Sequence, residues 1–245
     1  MIRLTFADYN QEVGEVMPEV DYDVVVLGGG AGGLFASSVA NSLGAKTCLV
    51  EKTRLGGDCT WFGCMPSKAL LKSAQAANLL NRAGEFGLKI KTGIGADNVM
   101  SHVHHVVGEI STHHPAEVFE KRGIKVIFGS PKFVDERSIE VNGKRIAAKR
   151  FIVCTGSHPL VPPIKGLKSI DYLSNENIFN LKKLPESLIV LGGGPIGVEL
   201  SQALNRLGVK VSIVEMMDRI LFREDRDAAG ILENKLRAEG IQIFT

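Results

Sequence analysis

Cys59 and Cys64, with four residues between them, stand in the stretch Gly56-Gly57-Asp58-Cys59-Thr60-Trp61-Phe62-Gly63-Cys64-Met65-Pro66-Ser67-Lys68. Two thiols at this spacing can close a small disulfide ring when the backbone between them is distorted, which makes the pair a candidate redox centre. The plainer alternative is two ordinary packed thiols, since cysteine is among the residue types most often buried. Zinc is a poorer fit, because no second Cys or His pair with finger-type spacing follows. What favours redox chemistry is the setting, with one glycine-rich fingerprint upstream of the pair and another downstream.

The upstream fingerprint begins with Asp23-Val24-Val25-Val26-Leu27, a β-branched run that leads directly into Gly28-Gly29-Gly30-Ala31-Gly32-Gly33 and a helical pattern through Leu43. Gly28, Gly30 and Gly33 fit G-x-G-x-x-G: the first permits the turn, the second lets a pyrophosphate approach the backbone, and the third lets helix and strand pack closely. The helix N-terminus offers its N–H groups to an anion. A strand over residues 46–50 then ends at Glu51, a carboxylate placed to accept hydrogen bonds from a ribose diol. The alternative is a tight turn without a ligand.

The same order returns later. Leu188-Ile189-Val190-Leu191 leads into Gly192-Gly193-Gly194-Pro195-Ile196-Gly197, a helix continues to Leu207, and the strand from Lys210 to Val214 ends at Glu215. Two complete fingerprints imply two nucleotides in separate domains. A carboxylate at Glu215 pairs with a free 2′-hydroxyl and repels a 2′-phosphate, so NADH is favoured over NADPH.

The intervening chain holds further elements. Ala69 to Leu80 reads as a helix with the cysteines at its beginning, where a helix N-terminus lowers a thiolate's pKa. Residues 98–122 read as another helix, which carries His102, His104, His105, His113 and His114. His102 and His105 could share a face, but Gly108 and Pro115 interrupt the periodicity and no carboxylate or cysteine completes a ligand set, so no metal site is expected. Short strands over 125–128, 132–134, 138–141 and 145–148 predict a β-meander, followed by the strand Phe151-Ile152-Val153-Cys154 and a small turn, Thr155-Gly156-Ser157. Cys48 and Cys154 lie in apolar strands and read as core. The prolines at 159, 162 and 163 mark a connector.

The 245 residues are enough for two domains, and 44% apolar residues can fill a sizeable core. A formal charge of +2, from scattered charges, points to neither nucleic acid nor a membrane surface. Residues 1–20 mix acidic residues with Arg3 and lack a continuous apolar core, which excludes a typical signal peptide, and no stretch is apolar enough to span a bilayer. The expected compartment is the cytoplasm, where a disulfide is catalytic or transient rather than structural.

With these motifs together, the chain from Asp21 to Thr245 resembles the flavoprotein disulfide reductases, the family of dihydrolipoamide dehydrogenase, glutathione reductase and mercuric reductase. It looks most like the mercuric-reductase-like and dihydrolipoamide-dehydrogenase-like branches. The resemblance implies an α/β fold with two Rossmann-like domains on parallel sheets plus the meander: an extension over 1–20, an FAD-binding domain with the redox pair over 21–160, and an NAD(P)-binding domain over 161–245. The last domain is expected to be incomplete, with an exposed sheet edge.

Gly28, Gly30, Ala31, Gly32, Gly33, Glu51 and Lys52 would hold the ADP half of FAD, with Gly57, Asp58, Thr155, Gly156 and Ser157 also beside that cofactor. Gly192, Gly194, Pro195, Ile196, Gly197 and Glu215 would hold NAD. The resemblance further makes Cys59-Cys64 the redox disulfide, with Cys64 against the flavin and Cys59 as the thiol that meets substrate. Lys68 would sit near the flavin, paired with Glu199.

Several positions depart from the family pattern. Asp58 replaces a usual Thr, Trp61-Phe62 a common Asn-Val, and Cys154 an Ala. Pro131 stands where the family often uses a backbone N–H toward the adenine, and proline cannot donate that bond.

Family members continue into the rest of the NAD domain and a dimerisation domain, which supplies a His-Glu acid-base pair to the partner's disulfide. The expectation is therefore the N-terminal portion of a homodimeric oxidoreductase acting on a small disulfide or a metal ion. Two other readings stand beside it: a dinucleotide-binding module without turnover, and a histidine-rich metal-binding protein.

Overall fold

Val24, Val25, Val26 and Leu27 are all buried in strand β1 (Tyr22–Leu27), which shows no polar alternation because both of its faces are covered. Val24 and Val26 pack with Leu34, Leu49, Phe119 and Ile124, while Val25 and Leu27 face the opposite way toward Val50, Ile139 and Val141. The structure, a computed structural model, describes residues 20–89, 95–112 and 115–245. The expected extension lies outside these residues except for Val20, as do His113 and His114.

The chain divides into two compact units, one within Met1–Gly63 and Val107–Glu176, the other within Cys64–Val106 and Asn177–Thr245. In the first, β1 is followed by helix α1 (Ala31–Ser42) and strand β2 (Thr47–Glu51), and β2 pairs with β1 in parallel. Helix α2 (Gly57–Trp61) carries Cys59. Strands β3 (Lys125–Phe128), β4 (Lys132–Asp135), β5 (Ser138–Val141) and β6 (Lys144–Val153) complete a sheet in the order β3-β2-β1-β6-β5-β4.

Three expectations need correction. Residues 125–128 do not belong to the meander: β3 pairs in parallel with β2, because a helical crossover precedes it and returns the chain in the same direction. The stretches expected as strands over 145–148 and 151–154 are one strand of ten residues, β6, which ends at Val153, one residue before Cys154. Lys149 does not interrupt it, because its ammonium reaches the Asp23 carboxylate at 2.7 Å. Burial works to raise the Asp23 carboxyl, but the bonds from Lys149 and the Lys46 N–H outweigh it and leave the group below its ordinary range.

The helix expected over 98–122 is instead two helices. Between Cys64–Asn81 (α3) and β3 lie α4 (Val99–Ser111) and α5 (Ala116–Glu120), and Pro115 caps α5 in an extended conformation rather than continuing α4. Gly108 is accommodated inside α4.

In the second unit, strand β7 (Ser187–Leu191), helix α6 (Pro195–Arg206), strand β8 (Lys210–Val214), helix α7 (Arg226–Ala238) and strand β9 (Gln242–Phe244) form a parallel sheet in the order β7-β8-β9. Asp225 caps α7 by accepting from the N–H groups of Asp227 and Ala228, both at 3.0 Å. Val211, Ile213 and Ile243 point into a core shared with Leu204 and Leu236. On the other face, Ile189, Leu191, Val214 and Phe244 are exposed.

Candidate functional site

Each glycine loop begins where a parallel strand ends. The Gly28 N–H donates to Val50 O at 2.8 Å, and the Gly192 N–H donates to Val214 O at 2.8 Å. Both glycines take left-handed backbone angles, φ 103° and 106°, which explains the residue type at the turn. One step on, the Gly29 N–H donates to Glu51 Oε2 at 2.6 Å and the Gly193 N–H donates to Glu215 Oε2 at 2.7 Å. The second carboxylate oxygen of each acid accepts from the backbone two residues later, Thr53 at 2.8 Å and Met217 at 2.9 Å. Each acid therefore closes its own loop.

The third glycines are set by close approach. A Cβ on Gly33 would lie 1.7 Å from the Gly28 carbonyl oxygen, and one on Gly197 would lie 2.2 Å from that of Gly192. Helices α1 and α6 start at Gly30 and Gly194, and neither N-cap has a side-chain hydrogen bond. A Cβ on Gly194 would meet nothing within 4 Å among the described residues. These loops fit dinucleotides: each combines unblocked helix N–H groups with a carboxylate whose oxygens can accept further bonds. Burial works to raise the Glu215 carboxyl, but N–H bonds from Met217, Gly193 and Met216 hold it below its ordinary range, so it is ionised at neutral pH.

The cysteine segment is seated against the first loop. The Gly56 N–H donates to Gly29 O at 2.8 Å, and a Cβ on Gly57 would lie 2.5 Å from the Gly30 Cα. Only glycine permits that approach, and it brings the start of α2 onto the loop. Cys59 is half-buried on α2, whereas Cys64 is exposed as the first residue of α3, so the two thiols stand on separate helices rather than together at the head of one. Lys68 follows Cys64 by one helical turn, and its ammonium lies 2.6 Å from Glu199 Oε1 on α6.

Other predicted residues are more scattered. Lys52 and Asp58 are exposed, Thr155, Gly156 and Ser157 are exposed beyond the end of β6, and Pro131 is half-buried just before β4. The Cys154 N–H donates to Leu27 O at 2.7 Å, which fixes that end of β6 beside the first loop. Cys48 is core: burial pushes its thiol up to about 12, against the opposing charge of Lys125. His102 and His105 are exposed, while His104 Nε2 lies 2.5 Å from the Phe179 carbonyl. Among the described residues no group of three or more His, Cys, Asp or Glu could hold a metal ion.

Sequence reasoning missed the residues that back each loop. Leu55 lies under Gly29, and Ile220 lies under Gly193, each within 2.5 to 2.7 Å of where a Cβ would stand. The signal was present as an Arg-apolar pair shortly after each acid, Arg54-Leu55 and Arg219-Ile220. Arg54 stacks over Trp61 at 3.8 Å from the ring centroid, and Trp61 Nε1 donates to Leu55 O at 2.8 Å.

Two glycine loops of one plan, the first with the helix of Cys59 seated on it, are the features to set beside known proteins. A family model described as pyridine nucleotide-disulphide oxidoreductase matches residues 22–245, and the chain belongs to that family. Dihydrolipoyl dehydrogenase of Acholeplasma laidlawii is 36% identical over 231 residues, which cover 92% of this chain and 68% of that protein. Mercuric reductase of Lysinibacillus sphaericus is 32% identical over 226 residues, covering 92% of this chain and 41% of that protein. Among solved structures, the HOCl-induced flavoprotein disulfide reductase RclA of Escherichia coli superposes with a TM-score of 0.78 at 29% identity, over 91% of this chain and 48% of that one. The chain thus spans about half of the RclA chain. No described helix is long and apolar enough to cross a membrane.

Proposed function

We propose that this chain carries the electron path of a disulfide or metal-ion reductase: NADH at the second loop, FAD at the first, and the Cys59-Cys64 pair as the group that is reduced. The observation that carries the reading is the seating of Gly57 on Gly30, which attaches the helix of Cys59 to a loop built for a dinucleotide. FAD supplies, when bound, two-electron exchange between a nicotinamide and a dithiol. The balance is one NADH, one proton and one disulfide giving NAD⁺ and two thiols.

The chain's own groups have distinct parts. Glu51 and the N–H groups at the head of α1 orient the flavin's adenosine and pyrophosphate. Glu215 accepts from a ribose diol and repels a 2′-phosphate, which supports NADH over NADPH. Lys68, one turn from Cys64, is the cation that would sit near the flavin, and Glu199 holds that ammonium in place. Cys59 is the thiol that meets substrate. The mercuric reductases among the relatives, and a copper(II) complex of RclA, support a metal ion beside a small disulfide as the oxidant.

The test is an anaerobic titration with NADH, following the visible absorbance of the flavin-loaded protein and counting thiols. Bleaching with the appearance of two thiols per chain is expected, and Cys59→Ser should abolish the thiols. Binding of the nucleotides with neither bleaching nor new thiols in the wild type would make the chain a nucleotide-binding module.

A further inference from the structure

Met216 exposes 93% of its surface, the largest fraction of any large apolar residue among those described. It follows Glu215 directly at the C-terminal end of β8, the edge of a parallel sheet where ligands bind. The Glu215 carboxylate on one side of it is held by the N–H groups of Gly193 and Met217, at 2.7 and 2.9 Å. Met217 follows it, more covered at 37% exposed, with its N–H on the same carboxylate. The first loop differs here, because Lys52 is the residue after Glu51. An unbranched thioether held in solvent beside an acid that takes a ribose is a surface waiting for a flat apolar ring.

We propose that Met216 is the adenine-side contact of the pyridine nucleotide and makes that site sensitive to oxidation. The inference rests on the reading of the second loop as the NADH site. A peroxide transfers one oxygen to the Met216 sulfur: the sulfur gives up two electrons and becomes a sulfoxide, and hydrogen peroxide is reduced to water. The polar sulfoxide no longer packs on the base, so NADH binding weakens and electron entry slows.

The experiment measures NADH affinity by calorimetry before and after limited hydrogen peroxide treatment, with peptide mass spectrometry reporting sulfoxide at Met216. Wild type should lose about three- to tenfold in affinity, the scale of a sulfur-aromatic contact, and recover on treatment with methionine sulfoxide reductase. Met216→Leu should bind NADH and resist peroxide, Met216→Gln should bind weakly from the start, and Met217→Leu should remain as sensitive as wild type. Cysteine oxidation is common to all four proteins and cancels in the comparison. Equal losses in wild type and Met216→Leu, or unchanged affinity with Met216 fully oxidised, would overturn the proposal and leave the NADH site standing. An untreated wild type that binds no NADH would overturn the site itself.

Discussion

The two glycine loops share a hydrogen-bond plan but have different surroundings. Both turn at a left-handed glycine, both are closed by an acid that accepts from the same two backbone positions, and both are backed by an apolar residue after an arginine. Around the first loop the space is filled: a Cβ on Gly28 would meet Cys154 O at 2.2 Å, and Gly57 presses on Gly30. A Cβ on Gly192 or Gly194 would meet nothing within 4 Å. The plan is thus local and repeatable, whereas the degree of enclosure is set by other segments. The first loop is built into its sheet and the start of the cysteine segment, whereas the second has no such neighbours among the described residues.

That contrast can be broken most severely at the turn glycines. Gly28→Ala adds a clash with backbone to the strain of a left-handed residue, and should cost about 3–5 kcal/mol of stability in urea unfolding. Gly192→Ala meets only the strain and should cost about 1–2 kcal/mol. Equal losses would mean that enclosure does not distinguish the loops.

Next in size are the arginines. Arg219 donates to the carbonyls of Leu221, Phe222 and Glu224 at 3.0, 2.7 and 3.2 Å, so Arg219→Ala should cost about 1.5–3 kcal/mol in the same assay. Arg54 has an aromatic stack instead, and Arg54→Ala should cost only about 0.5–1 kcal/mol.

The acids sharpen the comparison by ligand. Glu215→Ala should raise the NADH dissociation constant about tenfold, and Glu51→Ala should instead lower FAD retention, read from the absorbance of the dialysed protein. The pH dependence gives the smallest effect. Because the folded Glu215 carboxyl is held below its ordinary value of 4.5, its contribution to stability is present above that value and is lost as the pH falls through the folded one. The stability gap between wild type and Glu215→Gln should therefore be constant from neutral pH to about pH 5 and close below pH 4.5. A gap that widened on acidification would contradict the bonding seen around Glu215.

Much of the loops was legible because sterics leave few choices. Gly33 and Gly197 follow from how closely a helix must pass its own strand, and no other residue fits at 1.7 or 2.2 Å from a carbonyl oxygen. The sequence places the two acids but does not show their role in closing the loops, because that bond joins residues 22 positions apart through a backbone N–H of no particular type. Strand β6 reads as two pieces for a similar reason: Lys149 and Arg150 separate its apolar runs, and the Asp23 partner of Lys149 lies far away in the sequence. Periodicity could not show that β3 joins the parallel sheet either, since the pairing depends on the crossover before it. In the cysteine segment the residue types pointed to redox chemistry, while the seat of Gly57 on Gly30 depends on a contact with a loop 27 residues away.

Trp61 gives this last region an optical property. It is the sole tryptophan of the sequence, it shares the helix of Cys59, and the Arg54 guanidinium lies over its ring. All indole emission from this sequence therefore originates two residues from Cys59, under a cationic neighbour. In the flavin-free protein, a shift in intensity or colour when the thiols are reduced therefore arises beside Cys59, so the protein carries its own fluorescent gauge of thiol chemistry without a label.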